Sequence, residues 1–201
     1  MSPVGGEQDI PSQIDLCLRA RITLLILHTA EEERAMRMLQ DVCSRFSPKR
    51  PFLAWDIAEG FSGAGYGAGR GSPARDPLVA LEEIEKTDEA AVIVLKDFHE
   101  FWGNPGVKRR LRNLAQKLRF TRRTMVVVTP SLKVPDEIRD DAVVLHVPPP
   151  SARELEQELD RLLRGSGVGD SLTPLGREKL IQAALGMSLN QACRSFAKAI
   201  V

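Results

Sequence analysis

Five short runs of apolar residues, rich in β-branched side chains, punctuate the chain: residues 22–27 (ITLLIL), 52–57 (FLAWDI), 91–95 (AVIVL), 124–128 (TMVVV) and 142–147 (AVVLHV). The run at 91–95 is unbroken and the others nearly so, which predicts strands covered on both faces. Between them apolar positions recur at helical spacing. Ser12 opens a short helix over 12–19. Thr29 followed by Glu32 fits a capping box, and Ala35, Met36, Leu39, Val42, Cys43 and Phe46 give the helix behind it one apolar face. Asp76-Pro77 starts a helix through Leu78, Leu81 and Ile84. Asn104-Pro105 starts another, with Val107, Leu111, Leu114, Ala115 and Leu118 as its buried stripe. A short turn or helix is expected over 135–138.

Beyond Pro148-Pro149-Pro150 the pattern becomes helical only. Ser151 and Glu154 form a second capping box before Leu155, Leu159, Leu162 and Leu163. Residues 165–169 read as a linker, Thr173-Pro174 opens a helix to about Leu185, and Gly186 and Ser188 precede a last one. Strands alternating with helices predict an α/β fold, a three-layer five-stranded parallel sheet, followed by a small helical lid packed on it. The expected divisions are a flexible tail over 1–11, the α/β core over 12–150 and the lid over 151–201.

Composition narrows the function. Of 201 residues, 43% are hydrophobic and 27% charged, and the net charge is +1, so no global field favours nucleic acid or membrane. Three scattered cysteines show no C-x-x-C spacing, which argues against a zinc site and fits a reduced compartment. No segment is long enough to span a bilayer, and residues 1–6 lack a signal pattern, so the expected location is cytoplasmic, with no membrane partner. Charge is clustered locally along residues 108–123, which hold Lys108, Arg109, Arg110, Arg112, Lys117, Arg119, Arg122 and Arg123.

The strand at 91–95 stops at Lys96-Asp97, where an open α/β sheet places its ligands. The run Val94-Leu95-Lys96-Asp97-Phe98-His99-Glu100-Phe101 resembles the Walker B segment of the AAA+ ATPase superfamily. Thr129-Pro130 resembles the first sensor, the proline run 148–150 the turn before the lid, and Gly186-Met187-Ser188 the start of the last lid helix. Within that superfamily the chain is most similar to the N-terminal module of the hypothetical-chloroplast-reading-frame AAA proteins of cyanobacteria and plastids. VLKDF, RRLRNLAQKL and ALGMSLNQA have counterparts there, and the resemblance covers roughly 12–201. It implies a P-loop NTPase core, a ring-forming partner of the same kind, and an active ATPase module downstream or in another chain.

Three departures from the family pattern bear on activity. Where a phosphate loop should follow the first strand, the chain has Thr29, Glu31, Glu32 and Glu33, with no glycine and no lysine. Thr29 and Glu32 are expected to occupy the helix N-terminal donors, and the carboxylates to repel a triphosphate. Lys96 replaces the magnesium-coordinating aspartate, leaving Asp97 at the place of the water-activating acid and expected to pair with Lys96 or an arginine. Pro130, after Thr129, lacks the sensor's amide. The resemblance therefore implies a pseudo-ATPase: no catalytic residue, no metal and no cofactor in this segment, with ATP and magnesium confined to a companion active module.

The expected role is assembly, regulation or partner binding with other AAA+ modules. Contacts would come through Lys108, Arg109, Arg110, Arg112, Lys117 and Arg139, one of which could reach a neighbour's nucleotide. The alternative is nucleic-acid binding through the basic helix 108–123. A third reading gathers His28, His99 and His146 with Asp56, Asp97 and Glu100 as a metal cluster, His28 and His99 approaching one another, although no H-E-x-x-H spacing supports it. Residues 61–73, FSGAGYGAGRGSP, read as an exposed glycine-rich loop. Their Gly65-x-Gly67-x-Gly69 spacing is a poor phosphate cradle, while Phe61 and Tyr66 invite comparison with pore-loop aromatics.

Overall fold

The structure, a computed structural model, describes residues 9–63, 74–87, 90–166 and 172–200. It divides into two compact units, Met1–Val147 and Pro148–Val201. The first unit runs α1 (Ile10–Arg19), β1 (Leu24–His28), α2 (Glu32–Ser44), β2 (Phe52–Asp56), β3 (Gly60–Gly63), α3 (Pro77–Lys86) and β4 (Val92–Lys96). It continues with a 3-10 turn (Phe98–Gly103), α4 (Pro105–Leu118), β5 (Thr124–Thr129), α5 (Asp136–Arg139) and β6 (Ala142–His146).

The strands form one six-stranded sheet in the order β3-β2-β4-β5-β1-β6. All neighbours are parallel except β3, which returns antiparallel on β2. Alternate side chains feed two cores. Leu24, Ile26, Leu53, Trp55, Ile93, Leu95, Met125 and Val127 pack with α3 and α4 on one face. Leu25, Leu27, Ala54, Val92, Val94, Val126 and Val128 pack with α1 and α2 on the other. Because a β strand presents side chains to both faces in turn, burial of β1, β4 and β5 on both sides demands their apolar runs, while the edge strand β6 is only partly buried.

The expected five-strand sheet gains a sixth strand, β3, from the start of the glycine-rich segment. The Asp56 carboxylate makes it possible: its Oδ1 accepts the Ala58 and Glu59 N–H groups at 3.0 and 2.8 Å, and Gly60 takes φ +74. Gly63, at φ +121, lies so close to β2 that a Cβ would stand 2.5 Å from the Phe52 carbonyl oxygen. Phe61 is buried in the core with Trp55 instead of lying in an exposed loop, so it is no pore-facing aromatic. Tyr66 and Gly65-x-Gly67-x-Gly69 lie outside the described residues.

Two helix starts differ from expectation. Asp9, not Ser12, caps α1, its Oδ1 accepting Ser12 N–H at 3.0 Å. The Thr29–Glu32 capping box does not form. Glu31 is the N-cap of α2, with φ −98 and ψ 68 and no side-chain cap, while Thr29 Oγ1 accepts the Glu31 N–H at 3.0 Å.

The second unit contains α6 (Ala152–Ser166), α7 (Pro174–Ala184) and α8 (Leu189–Ile200), around Leu155, Leu159, Leu163, Ala184, Leu189, Ala192 and Phe196. Here the capping box is real: Glu154 Oε2 accepts both Ser151 N–H and Ser151 O–H at 2.9 Å, and Ser151 Oγ accepts Glu154 N–H at 3.3 Å. Ser188 and Gln191 exchange the same pair of bonds ahead of α8. Gly165, expected in a linker, is the penultimate residue of α6.

Candidate functional site

The carboxyl ends of β1, β2, β4 and β5 lie side by side, and the sequence-predicted residues gather there. Lys96 ends β4. Its Nζ stands 3.1 Å from Glu32 Oε1 in the first turn of α2 and 3.8 Å from Asp56 Oδ2 at the end of β2, with the lysine side chain 23% exposed. A cation supplied by the chain thus sits between two carboxylates. Each pair is partly open to water and contributes on the order of 0–1 kcal/mol. Asp56 serves twice, one oxygen holding the β2–β3 turn and the other facing Lys96.

Of the three glutamates after β1, only Glu33 is exposed. Glu31 pairs with Arg34, Oε2 to Nη1 at 2.9 Å, with side chains 12% and 8% exposed. The site is therefore closed by compensated ion pairs rather than by capping bonds or bare negative charge.

Asp97 does not pair with Lys96. It is exposed, adopts left-handed φ +50, and uses its backbone, donating to the Val128 carbonyl at 3.2 Å and accepting from Glu100 N–H at 3.0 Å. Thr129 is fully buried. Its Oγ1 accepts Ser131 N–H at 2.9 Å and its carbonyl accepts Thr29 N–H at 2.9 Å. The Pro130 carbonyl accepts His28 Nε2–H at 3.0 Å. The sensor-position loop is thereby tied to the end of β1.

The three histidines do not converge. His28 meets His146, and His99 instead lies 3.1 Å from Glu100 through Nε2. Among the described residues no group of three or more His, Cys, Asp and Glu could hold a metal ion.

Most of the cations along α4 pair at the surface with carboxylates of the same unit. Lys108 reaches Glu137 at 2.5 Å and Arg110 reaches Glu85 at 2.6 Å, with Lys117 also on Glu85. Arg112 Nε lies 3.4 Å from Asp141, and Arg119 binds the same carboxylate at 2.6 Å. The Lys117 hydrogen bond, helped by the Arg110 charge, holds the Glu85 carboxyl below the usual carboxylate range, and Lys108 does the same for Glu137. Arg123 hydrogen-bonds the carbonyls of Ile84, Glu85 and Thr87 at the end of α3. Arg139 pairs locally with Asp136, both exposed. Arg109 is exposed, with no ion-pair partner among the described residues.

Sequence reasoning missed Arg34, and it placed Asp56 in a metal cluster rather than beside Lys96. Asp56 at a strand's carboxyl end was a signal, but its neighbour β4 is set by strand order, which the sequence does not display.

Exchanging Lys96 for aspartate brings a third carboxylate against Glu32 and Asp56. Lys96→Asp is expected to lower stability by roughly 1–2 kcal/mol in chemical denaturation. Mg2+ at ten times its dissociation constant should return about 1.4 kcal/mol. A variant indifferent to Mg2+ would mean that the three groups do not converge.

Solved structures that share this fold include an AAA domain and a katanin assembly. The FIGL-1 AAA domain in complex with ADP aligns with a TM-score of 0.64 at 14% identity, over 90% of this chain and 60% of that one. A structure explaining katanin self-assembly aligns with a TM-score of 0.63 at 8% identity, over 97% and 71%. At such identities the likeness concerns the fold. Residues 10–147 match the model of the SpoVK-like AAA ATPase N-terminal domain and residues 153–201 that of its second domain, and the chain belongs to this family.

Among relatives, the AAA domain-containing protein ycf46 of Guillardia theta is 34% identical over 187 residues, 92% of this chain and 36% of that protein. Its namesake in Trieres chinensis is 28% identical over 94% and 37%. The chain thus spans little more than a third of these relatives' length. No helix among the described residues is long and apolar enough to cross a membrane.

Proposed function

We propose that this chain is a non-hydrolysing AAA+ module that serves assembly, regulation or partner binding for an ATPase. The active module lies downstream or in another chain. The observation that carries this is the Lys96 ammonium held by Glu32 and Asp56 at the strand ends, where a magnesium-bound triphosphate would need hard anionic ligands on the metal and backbone donors on the phosphates. A nucleotide there would have to displace internal ion pairs, and the first βα turn has neither glycine nor lysine with which to cradle its phosphates. The greater length of the relatives supports an active module elsewhere. For partner contact, the paired cations of α4 favour a protein surface over a phosphate backbone, since each cation would have to leave its carboxylate to neutralise a phosphate.

Isothermal titration with Mg-ATP is expected to give no binding tighter than millimolar, and the protein no phosphate release above buffer. A micromolar dissociation constant would overturn the reading.

A further inference from the structure

His28 and His146 end adjacent parallel strands in direct register. Their Nδ1 atoms stand 3.4 Å apart, with ring centroids at 5.3 Å and planes at 74°. His28 Nε2 faces the Pro130 carbonyl at 3.0 Å. A carbonyl can only accept, so the ring proton of neutral His28 is on Nε2 and Nδ1 carries the bare lone pair. A backbone carbonyl fixing the remote nitrogen is the outer-shell arrangement that orients a metal-ligating imidazole. The backbone is fixed as well, since Val147 N–H donates to the His28 carbonyl at 3.1 Å and Thr29 N–H to the Thr129 carbonyl at 2.9 Å on the other side.

The separation has a chemical meaning. Two nitrogens each about 2.0–2.1 Å from one zinc ion, at the tetrahedral angle, stand about 3.4 Å apart. The strand register therefore holds the two rings at the bite of a tetrahedral divalent ion before any ion arrives.

We propose that His28 Nδ1 and His146 Nδ1 form a two-imidazole site for a borderline divalent transition metal of the zinc and cobalt class, with water in the remaining positions. Without metal, His146 Nδ1–H donates to His28 Nδ1. On binding, that proton moves through solvent to His146 Nε2, so both rings ligate as neutral imidazoles with no net proton released. His146 is exposed, which leaves room for this exchange and for entry of the ion. Imidazole donors with water select against magnesium and calcium, which prefer oxygen. The site uses none of the Lys96 cluster and stands or falls independently of it.

The test uses the tag-free chain with Zn2+ followed by calorimetry and Co2+ followed by visible absorption. The expected result is one ion per chain at micromolar affinity, with the intense visible bands of low-coordinate cobalt. His146→Gln should weaken binding by about tenfold or more, because one nitrogen then remains. His28→Gln should do the same, and His99→Gln should change nothing. His146 is exposed, so its variant keeps the fold, which circular dichroism verifies. No binding below the millimolar range, or affinity unchanged in His146→Gln, would overturn the proposal.

Discussion

Replacing Arg34 by methionine is expected to destabilise the α/β unit by about 3 kcal/mol, the low end of the cost of breaking a buried ion pair. Arg34 is among the few buried charged residues, and its guanidinium lies 2.9 Å from the Glu31 carboxylate, itself only 12% exposed. Without Arg34 that largely covered carboxylate loses the counter-charge 2.9 Å away. Its position at the N-cap of α2 softens the loss, because the helix dipole favours negative charge there by about 0.3–1 kcal/mol. Adding Glu31→Gln removes the charge that Arg34 faced and should return about half of the lost stability. Urea unfolding followed by tryptophan fluorescence checks both variants. The protein's two tryptophans, Trp55 and Trp102, both lie in the first unit, so the signal reports that unit alone. A loss below about 1 kcal/mol for Arg34→Met would mean that the pair is solvated after all.

Truncation of Trp55 should cost more. Trp55→Ala is expected to lower stability by about 3–5 kcal/mol, or roughly 10–15 °C in the melting temperature of a unit this size. The indole is fully buried, packs edge-on against Phe98 at 5.5 Å and Phe101 at 6.1 Å, and donates its N–H to the Ala74 carbonyl at 2.5 Å. Trp55→Phe keeps most of the ring contact and strands one carbonyl, for a loss of about 1–2 kcal/mol. Trp102 remains as the fluorescent probe in both. Because Trp55 precedes Asp56, the alanine variant also slackens the strand that presents a carboxylate to Lys96. A melting shift under about 4 °C for Trp55→Ala would refute this account.

The buried framework was readable because its residues have little choice. Runs such as 91–95 carry no polar atom to place on a surface, and the stripe Val107, Leu111, Leu114, Ala115 and Leu118 is buried residue for residue. Local signals succeeded where one interaction decided the outcome, as at Ser151–Glu154 and Asn104. They failed where a tertiary partner competed. Glu32 was free to close a capping box with Thr29, yet it turns to Lys96, a residue distant in sequence. The sixth strand was hidden because glycine-rich composition reads as loop, whereas Asp56 and Gly60 supply the turn that pairs Phe61 with Trp55.

The site was half legible for a related reason. Lys96 stood out against a family pattern, but its charge partners depend on which strands lie adjacent. The basic helix misled in the opposite direction. Its cations read as a free surface until Glu85, Glu137 and Asp141 are placed beside them.

The strand order carries a consequence for how the chain is made. β1, near the amino terminus, finds its two neighbours only in β5 and β6, around a hundred residues later in register, with Leu24 beside Met125 and Ala142. A chain emerging from the ribosome therefore holds an unpartnered apolar strand until almost the entire first unit has been synthesised. Such late, long-range closure makes folding slow and exposes nascent chains to association, so shielding of residues 24–28 during synthesis becomes a requirement of the topology itself.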